Sequence, residues 1–260
     1  MQIAIVQTNP EFGEIKKNVA AALAMMESMR ANLYVLPELF NTGYNFIDES
    51  EVQELAEPAT GSTFQVLSDF AKKANTFVVY GFAEKAGVIF NSAALVGPAG
   101  IIGVYRKVHL FDRENLFFEP GDFGFPVFDL PFGKVGMMIC FDWMYPESAR
   151  SLALKGAQLI AHPSNLVLPY CPDAMITRCL ENRVFAATAD RIGRENRGGI
   201  DLLYQGMSEV VSPRGEVLRR LSKDREEIVA AEINLSHAND KKINAYNDLL
   251  AHRRSDQYSL

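Results

Sequence analysis

Lys134-Val135-Gly136-Met137-Met138-Ile139-Cys140-Phe141-Asp142-Trp143-Met144-Tyr145-Pro146-Glu147 packs a strand signal, a thiol and a helix start into 14 residues. Lys134–Ile139 is an apolar run of strand length, suited to a buried position in a sheet. Pro146 fits the first turn of a helix that continues to about Lys155, because a helix leaves that N–H unused. A cysteine at the end of a buried strand and just before a turn is placed like a nucleophile elbow. There the N–H of the next residue, Phe141, helps to hold an oxyanion. Taken alone, Cys140 is equally at home as a small buried hydrophobe.

The same grammar repeats on both sides. Ile3–Gln7, Leu33–Leu36, Phe77–Phe82, Gln158–Ala161, Val184–Ala189 and Ile228–Ile233 are further strand-length apolar runs. Lys16–Arg30 carries Val19, Ala22, Leu23, Met26 and Met29 on one helical stripe. A second stripe, Phe64, Leu67, Phe70 and Ala71, follows a cap at Ser62 or Thr63 and ends near Ala74. A third helix lies around Asp173–Asn182 and packs Cys179, while Cys171-Pro172 reads as loop. Gly97-Pro98-Ala99-Gly100 joins Val88–Val96 to Ile101–Arg106, and Ser212-Pro213-Arg214-Gly215 joins Gln205–Val211 to Glu216–Leu221. Both read as hairpins. Helices alternating with strands early and hairpins later predict an α/β protein with mixed sheets covered by helices. Three strands end alike, at Pro37-Glu38, at Cys140, and at His162-Pro163-Ser164-Asn165. Strand ends are where α/β sheets bring reactive groups to ligands.

The 260 residues are 48% hydrophobic and 22% charged, average for a globular chain and unlike a disordered or collagenous one. A chain of this size buries roughly 70–75% of its unfolded surface. No linker or repeat divides it, which predicts one domain. Three cysteines are too few, and odd in number, for a disulfide scaffold. The net charge of −6 argues against nucleic acid as a partner. No apolar run reaches the ~20 residues of a membrane span, and Met1–Gln7 has no signal-peptide pattern. The expectation is a soluble, cytoplasmic chain with reduced thiols.

Several residues could serve a cysteine nucleophile. His162 ends a strand and is a candidate base; His237 and His252 fall in a polar tail. Glu38, directly after an apolar strand and Pro37, sits where desolvation raises a carboxyl toward the range of a general base. The bland alternative is an open loop glutamate. Lys107 follows Ile101–Arg106; its ammonium can stabilise a developing oxyanion and favour a thiolate, or simply snorkel to water. Glu114 can fix that lysine, or be one of several solvated charges in Asp112-Arg113-Glu114. His109, His162 and the cysteines show no close pair at metal-ligand spacing.

Together these segments resemble a known family. Pro37-Glu38-Leu39-Phe40, then Tyr105-Arg106-Lys107-Val108-His109-Leu110-Phe111, then Ile139-Cys140-Phe141-Asp142-Trp143 with Tyr145-Pro146-Glu147, look like the three signatures of the nitrilase superfamily of carbon–nitrogen hydrolases. Lys107 stands 69 positions after Glu38, and Cys140 33 after Lys107, in the family's order. Asn91-Ser92-Ala93, Ala161–Asn165, Glu181–Val184 and Thr188–Gly193 extend the likeness over nearly the whole chain, which is most similar to the compact archaeal-type nitrilases and amidases.

The resemblance implies a four-layer α-β-β-α sandwich. It implies Cys140 as nucleophile, Glu38 as general base, Lys107 with the Phe141 N–H as the stabiliser of the tetrahedral intermediate, and Glu114 as the group that positions Lys107 or the substrate. It implies no metal and no organic cofactor. It also implies a homodimer or larger homo-oligomer, with residues 1–235 as the hydrolase domain and the tail 236–260 contributing to the interface. The expected reaction is hydrolysis of a small aliphatic amide through a thioester on Cys140; a nitrile or an N-carbamoyl amine is the alternative substrate. The rival readings are a Cys–His hydrolase using His162 and a binding protein without turnover. For substrate contacts the candidates are Tyr44, Trp143, Asn165 and Tyr170, each equally suited to plain packing. An arginine in the pocket, Arg178 or Arg183, would point to a carboxylate-bearing substrate.

Overall fold

Successive strand residues face opposite ways, and in β1 (Gln2–Gln7) both faces are buried, Ile3 and Ile5 on one side, Ala4 and Val6 on the other. A strand apolar on both faces belongs inside a layered structure. The computed structural model describes residues 1–258. In chain order α1 (Ile15–Glu27), β2 (Leu33–Val35), α2 (Glu49–Leu55), α3 (Ser62–Ala74), β3 (Phe77–Ala86), β4 (Val88–Gly97), β5 (Gly100–Arg106), β6 (Val127–Leu130) and β7 (Gly133–Met137) follow. The second half runs α4 (Pro146–Leu154), β8 (Leu159–Pro163), α5 (Cys171–Asn182), β9 (Phe185–Ala189), β10 (Arg194–Arg197), β11 (Ile200–Leu203), β12 (Glu209–Val211), β13 (Val217–Arg220), β14 (Glu227–Glu232), β15 (Lys242–Asn244) and β16 (Asn247–Asp248).

Two six-stranded sheets result, ordered β14-β1-β2-β3-β4-β5 and β13-β12-β9-β8-β7-β6. Each has three parallel strands at its centre, β1-β2-β3 in one and β7-β8-β9 in the other, extended by antiparallel strands. Ile3, Ile5, Leu33, Val35 and Val79 of the first sheet share one core with Val135, Met137, Leu159 and Ala161 of the second. The outer face of the first sheet, with Ala4, Val6, Tyr34 and Tyr80, packs against Val19, Ala22 and Met26 of α1 and Leu67, Phe70 and Ala71 of α3. On the second sheet Gly136 leaves room for α4: a Cβ there would lie 2.8 Å from Leu152. The architecture is the expected α-β-β-α sandwich.

Local details differ from the sequence reading. Residue 61, a glycine, caps α3, and the Glu57 carboxylate takes the Ser62 hydroxyl and the Thr63 N–H that a cap would otherwise satisfy. Cys171 is not loop but the first residue of α5 and fully buried; Pro172 occupies the first turn that tolerates proline. The strand expected from Gln205 begins only at Glu209, because Gly206 and Met207 both take positive φ and break it. In the tail, β15 and β16 form a small hairpin, and Lys241 donates to the carbonyls of Asn182 and Arg183, capping the end of α5. Ser259 and Leu260, the last two residues of that tail, lie outside the described residues. No helix among the described residues is long and apolar enough to cross a membrane.

Candidate active site

Glu38 follows β2, Lys107 follows β5, and Cys140 and Asn165 follow β7 and β8, so both sheets converge at their strand ends. The turn carrying Glu38 is pressed against β3. The Gly81 N–H donates to the Pro37 carbonyl (3.1 Å) and its own carbonyl accepts from Phe40 N (3.3 Å). This closeness needs a glycine: a Cβ at residue 81 would stand 2.4 Å from Glu38 Cα and 2.8 Å from Leu39 N, both backbone atoms. Gly81→Ala is therefore expected to shift the Glu38 turn, destabilise the fold by about 1–3 kcal/mol and lower kcat/KM. Thermal denaturation alongside kinetics checks this; unchanged activity would show that the turn tolerates displacement.

Lys107 is held from several directions. Its N–H donates to the Asn91 carbonyl and its carbonyl accepts from Gly121 N, both at 2.8 Å. The preceding Arg106 makes a two-pronged contact with Glu84 (2.9 and 3.1 Å) and lies 3.9 Å from the Phe90 ring. The fully buried Nζ of Lys107 donates to Glu38 Oε1 and Glu114 Oε1, each at 2.7 Å. Asn91 Nδ2 bridges the same carboxylates, to Glu38 at 2.7 Å and Glu114 at 3.3 Å. Tyr44 Oη donates to Glu114 Oε1 at 2.5 Å. The Tyr44 backbone is fixed in turn by Glu195, which accepts from Tyr44 N and Asn45 N and is paired with the buried Arg191.

Cys140 has φ +40, a left-handed conformation rare outside glycine. Asp142 holds that turn. Its Oδ2 accepts from Ile139 N (2.9 Å) and Tyr105 Oη (2.6 Å), while Oδ1 takes His109 N and the His109 ring (2.8 Å). His109 stacks flat on Tyr145, with centroids 3.7 Å apart. Cys140 Sγ donates to the Asn165 carbonyl at 3.7 Å.

Electrostatics then separate the groups. Burial pushes the Glu38 carboxyl up to about 7 against the opposing pull of Lys107. Burial alone would discharge Lys107, but Glu114 and Glu38 outweigh it and hold the ammonium above its ordinary value. Burial and the negative Glu38 raise the Cys140 thiol well above its usual range, outweighing Lys107, so the expected thiolate stabilisation is not the dominant effect. A protonated thiol needs a base, and Glu38, whose charge acts on Cys140, has a buried Oε2 with no partner among the described residues. His162 does not offer one. Its Nε2 lies 2.9 Å from the Cys140 carbonyl, which only accepts, so Nε2 carries the proton and Nδ1 accepts from Thr188 Oγ1 (3.0 Å). Burial lowers its pKa to about 4, leaving a neutral ring that braces the turn.

Of the expected contacts, Phe141, Trp143 and Asn165 line a cleft at Cys140, and Tyr44 lines its continuation, with Phe111 and Val167 common to both parts. Tyr170, Arg178 and Arg183 line neither part. Arg178 is bound to Glu181 and the Trp143 carbonyl, Arg183 to the Pro213 carbonyl. Asn91 was legible only as part of a motif, and the roles of Gly81, Asp142 and Glu195 have no local sequence signal. Among the described residues no three His, Cys, Asp or Glu side chains group as a metal site.

Known proteins share this fold and much of this sequence. Residues 2–242 match the carbon-nitrogen hydrolase family model. The nitrilase of Pyrococcus abyssi is 52% identical over 263 residues, covering 99% of each chain. The carbon-nitrogen hydrolase of Helicobacter pylori superposes with a TM-score of 0.91 at 28% identity, over 99% of this chain and 97% of that one. An amidase from Nesterenkonia sp. AN1, 25% identical with a TM-score of 0.76 over 93% and 96% of the two chains, has been solved after Michael addition of acrylamide at its active-site cysteine.

Proposed function

Because the chain belongs to the carbon-nitrogen hydrolase family, we propose that it hydrolyses a small aliphatic amide to a carboxylic acid and ammonia through a thioester on Cys140. The observation that carries this reading is the buried Glu38–Lys107–Glu114 cluster acting on the Cys140 thiol. Glu38 takes the thiol proton as sulfur attacks the carbonyl carbon. The oxygen gains negative charge, which Lys107 and the Phe141 N–H stabilise. Collapse breaks the C–N bond, the Glu38 proton leaves with ammonia, and the thioester remains. Water, deprotonated by Glu38, then splits the thioester and the thiol regains its proton. Glu114 keeps Lys107 charged and aimed. Hydrolysis of a nitrile is the second reading, favoured by the name of the 52% identical relative. There the first adduct is a thioimidate and two waters are consumed.

An ammonia-release screen over small amides, nitriles and N-carbamoyl amines, with Cys140→Ala as control, tests the assignment. Cys140-dependent release from amides supports it; release from nitriles alone replaces it with the second reading.

A base pushed up to about 7 sets the pH dependence. Glu38 works only when ionised, so kcat/KM should fall tenfold per pH unit as pH drops below about 7. An acidic limb near the ordinary glutamate value of about 4.3 would remove Glu38 from the role. We further propose that two copies pair across the face of α4 and α5, where Leu154 and Leu180 are exposed, and light scattering at monomer mass would refute this.

A further inference from the structure

Neither arginine weighed as a carboxylate anchor lines the cleft, but a third does. Arg113 stands on a tight turn, Asp112–Leu116, that also carries Glu114. Asp112 opens the turn with φ +47, a strained conformation for a side chain other than glycine. Glu114 points inward to Lys107 and Tyr44. Arg113, one residue earlier, lines the outer cleft, which is narrow and open to solvent at one side. Its guanidinium has only a 3.5 Å contact with the Ile47 carbonyl and a place 5.7 Å from the Phe117 ring; no carboxylate among the described residues pairs with it. Phe111, Phe117, Val167 and Leu202 line the same outer cleft, and Phe111 and Val167 also line the cleft at Cys140.

We propose that Arg113 anchors the carboxylate of a substrate whose far end is the scissile amide, so that the preferred substrates are monoamides of short linear dicarboxylic acids. This rests on the amide-hydrolase reading above. Charge sets the orientation. With all three groups ionised, Glu38, Glu114 and Lys107 sum to one negative charge at the inner end, while the outer end carries the guanidinium. The neutral amide therefore enters toward Cys140, and the carboxylate stays with the donor fork that matches it. The methylene chain lies against the apolar walls. Hydrolysis creates a second carboxylate beside Glu38, and that repulsion drives the diacid out.

Asp112 is the nearby opposing charge, so the test includes the opposite substrate. Ammonia release is measured on matched amides of one chain length ending in methyl, carboxylate or ammonium. Binding of the carboxylate-ended amide to the Cys140→Ala protein is measured by calorimetry. Wild type should prefer the carboxylate by about tenfold or more in kcat/KM. Arg113→Met should remove that preference through KM, and Arg113→Lys should keep part of it. In the Cys140→Ala background, Arg113→Met should weaken binding about tenfold or more. Equal loss on all three amides, no preference in wild type, or a preference for the ammonium overturns the inference. Arg113-dependent binding without Cys140-dependent turnover would instead uphold the anchor and sink the proposed reaction.

Discussion

Cys140→Ala is expected to lower ammonia release by a factor on the order of 10⁴ or more, with the fold intact. Alanine removes the only atom that forms the thioester, yet it leaves the Asp142 contacts that hold the turn, because those reach Ile139, Tyr105 and His109 rather than the thiol. Glu38→Gln keeps the shape of its side chain and can still accept from Lys107, but it cannot take a proton. Its cost should be roughly 10²–10⁴-fold. The two changes act on one step, so the double variant should be no slower than Cys140→Ala alone. Activity of Cys140→Ala within tenfold of wild type, or losses that multiply in the double variant, would mean that the thiol and the carboxylate do not share a step.

Lys107→Met should produce the largest loss of stability. It fills the volume but leaves Glu38 and Glu114 buried without their shared cation, and breaking a buried ion pair from one side costs about 3–5 kcal/mol. The pH dependence identifies the cause. Glu38, already raised by burial, would sit higher still without the opposing pull of Lys107, so the folded state binds a proton that the unfolded state does not. Stability is regained as pH falls and is lost as pH rises through that raised folded value. The deficit against wild type in urea denaturation should therefore shrink between about pH 8 and about pH 5. A deficit independent of pH would point to packing instead of charge.

Much of this site was legible because its parts sit at strand ends. Glu38, Lys107 and Cys140 each follow an apolar run, and three motifs in one order carry far more information than any residue alone. What escaped was held by geometry that no local pattern encodes. α2 has a single buried apolar residue, Val52, so it shows no stripe. The β10–β11 hairpin starts Arg194-Glu195-Asn196-Arg197, with no apolar alternation, yet Glu195 reaches across 151 positions to Tyr44. Arg113 sits in a charged triplet that looks like solvated surface, yet after the left-handed Asp112 it lines the cleft. The helix start at Cys171 does have a local signal, since Pro172 suits the first turn of a helix.

The pairing of β14 with β1 joins residues 227–232 to residues 2–7. On a ribosome, β1 is made more than 200 residues before its outer neighbour β14. At about 5–20 residues per second, that interval is roughly 10–50 s. Throughout it the apolar β1 has an unfilled edge of the kind that recruits other chains. Glu195 is likewise made long after the Tyr44 turn it secures. Newly made protein should thus pass through an inactive, aggregation-prone stage that ends only when the last strand of the first sheet has emerged. Holding factors that bind exposed strands would be needed most during that interval.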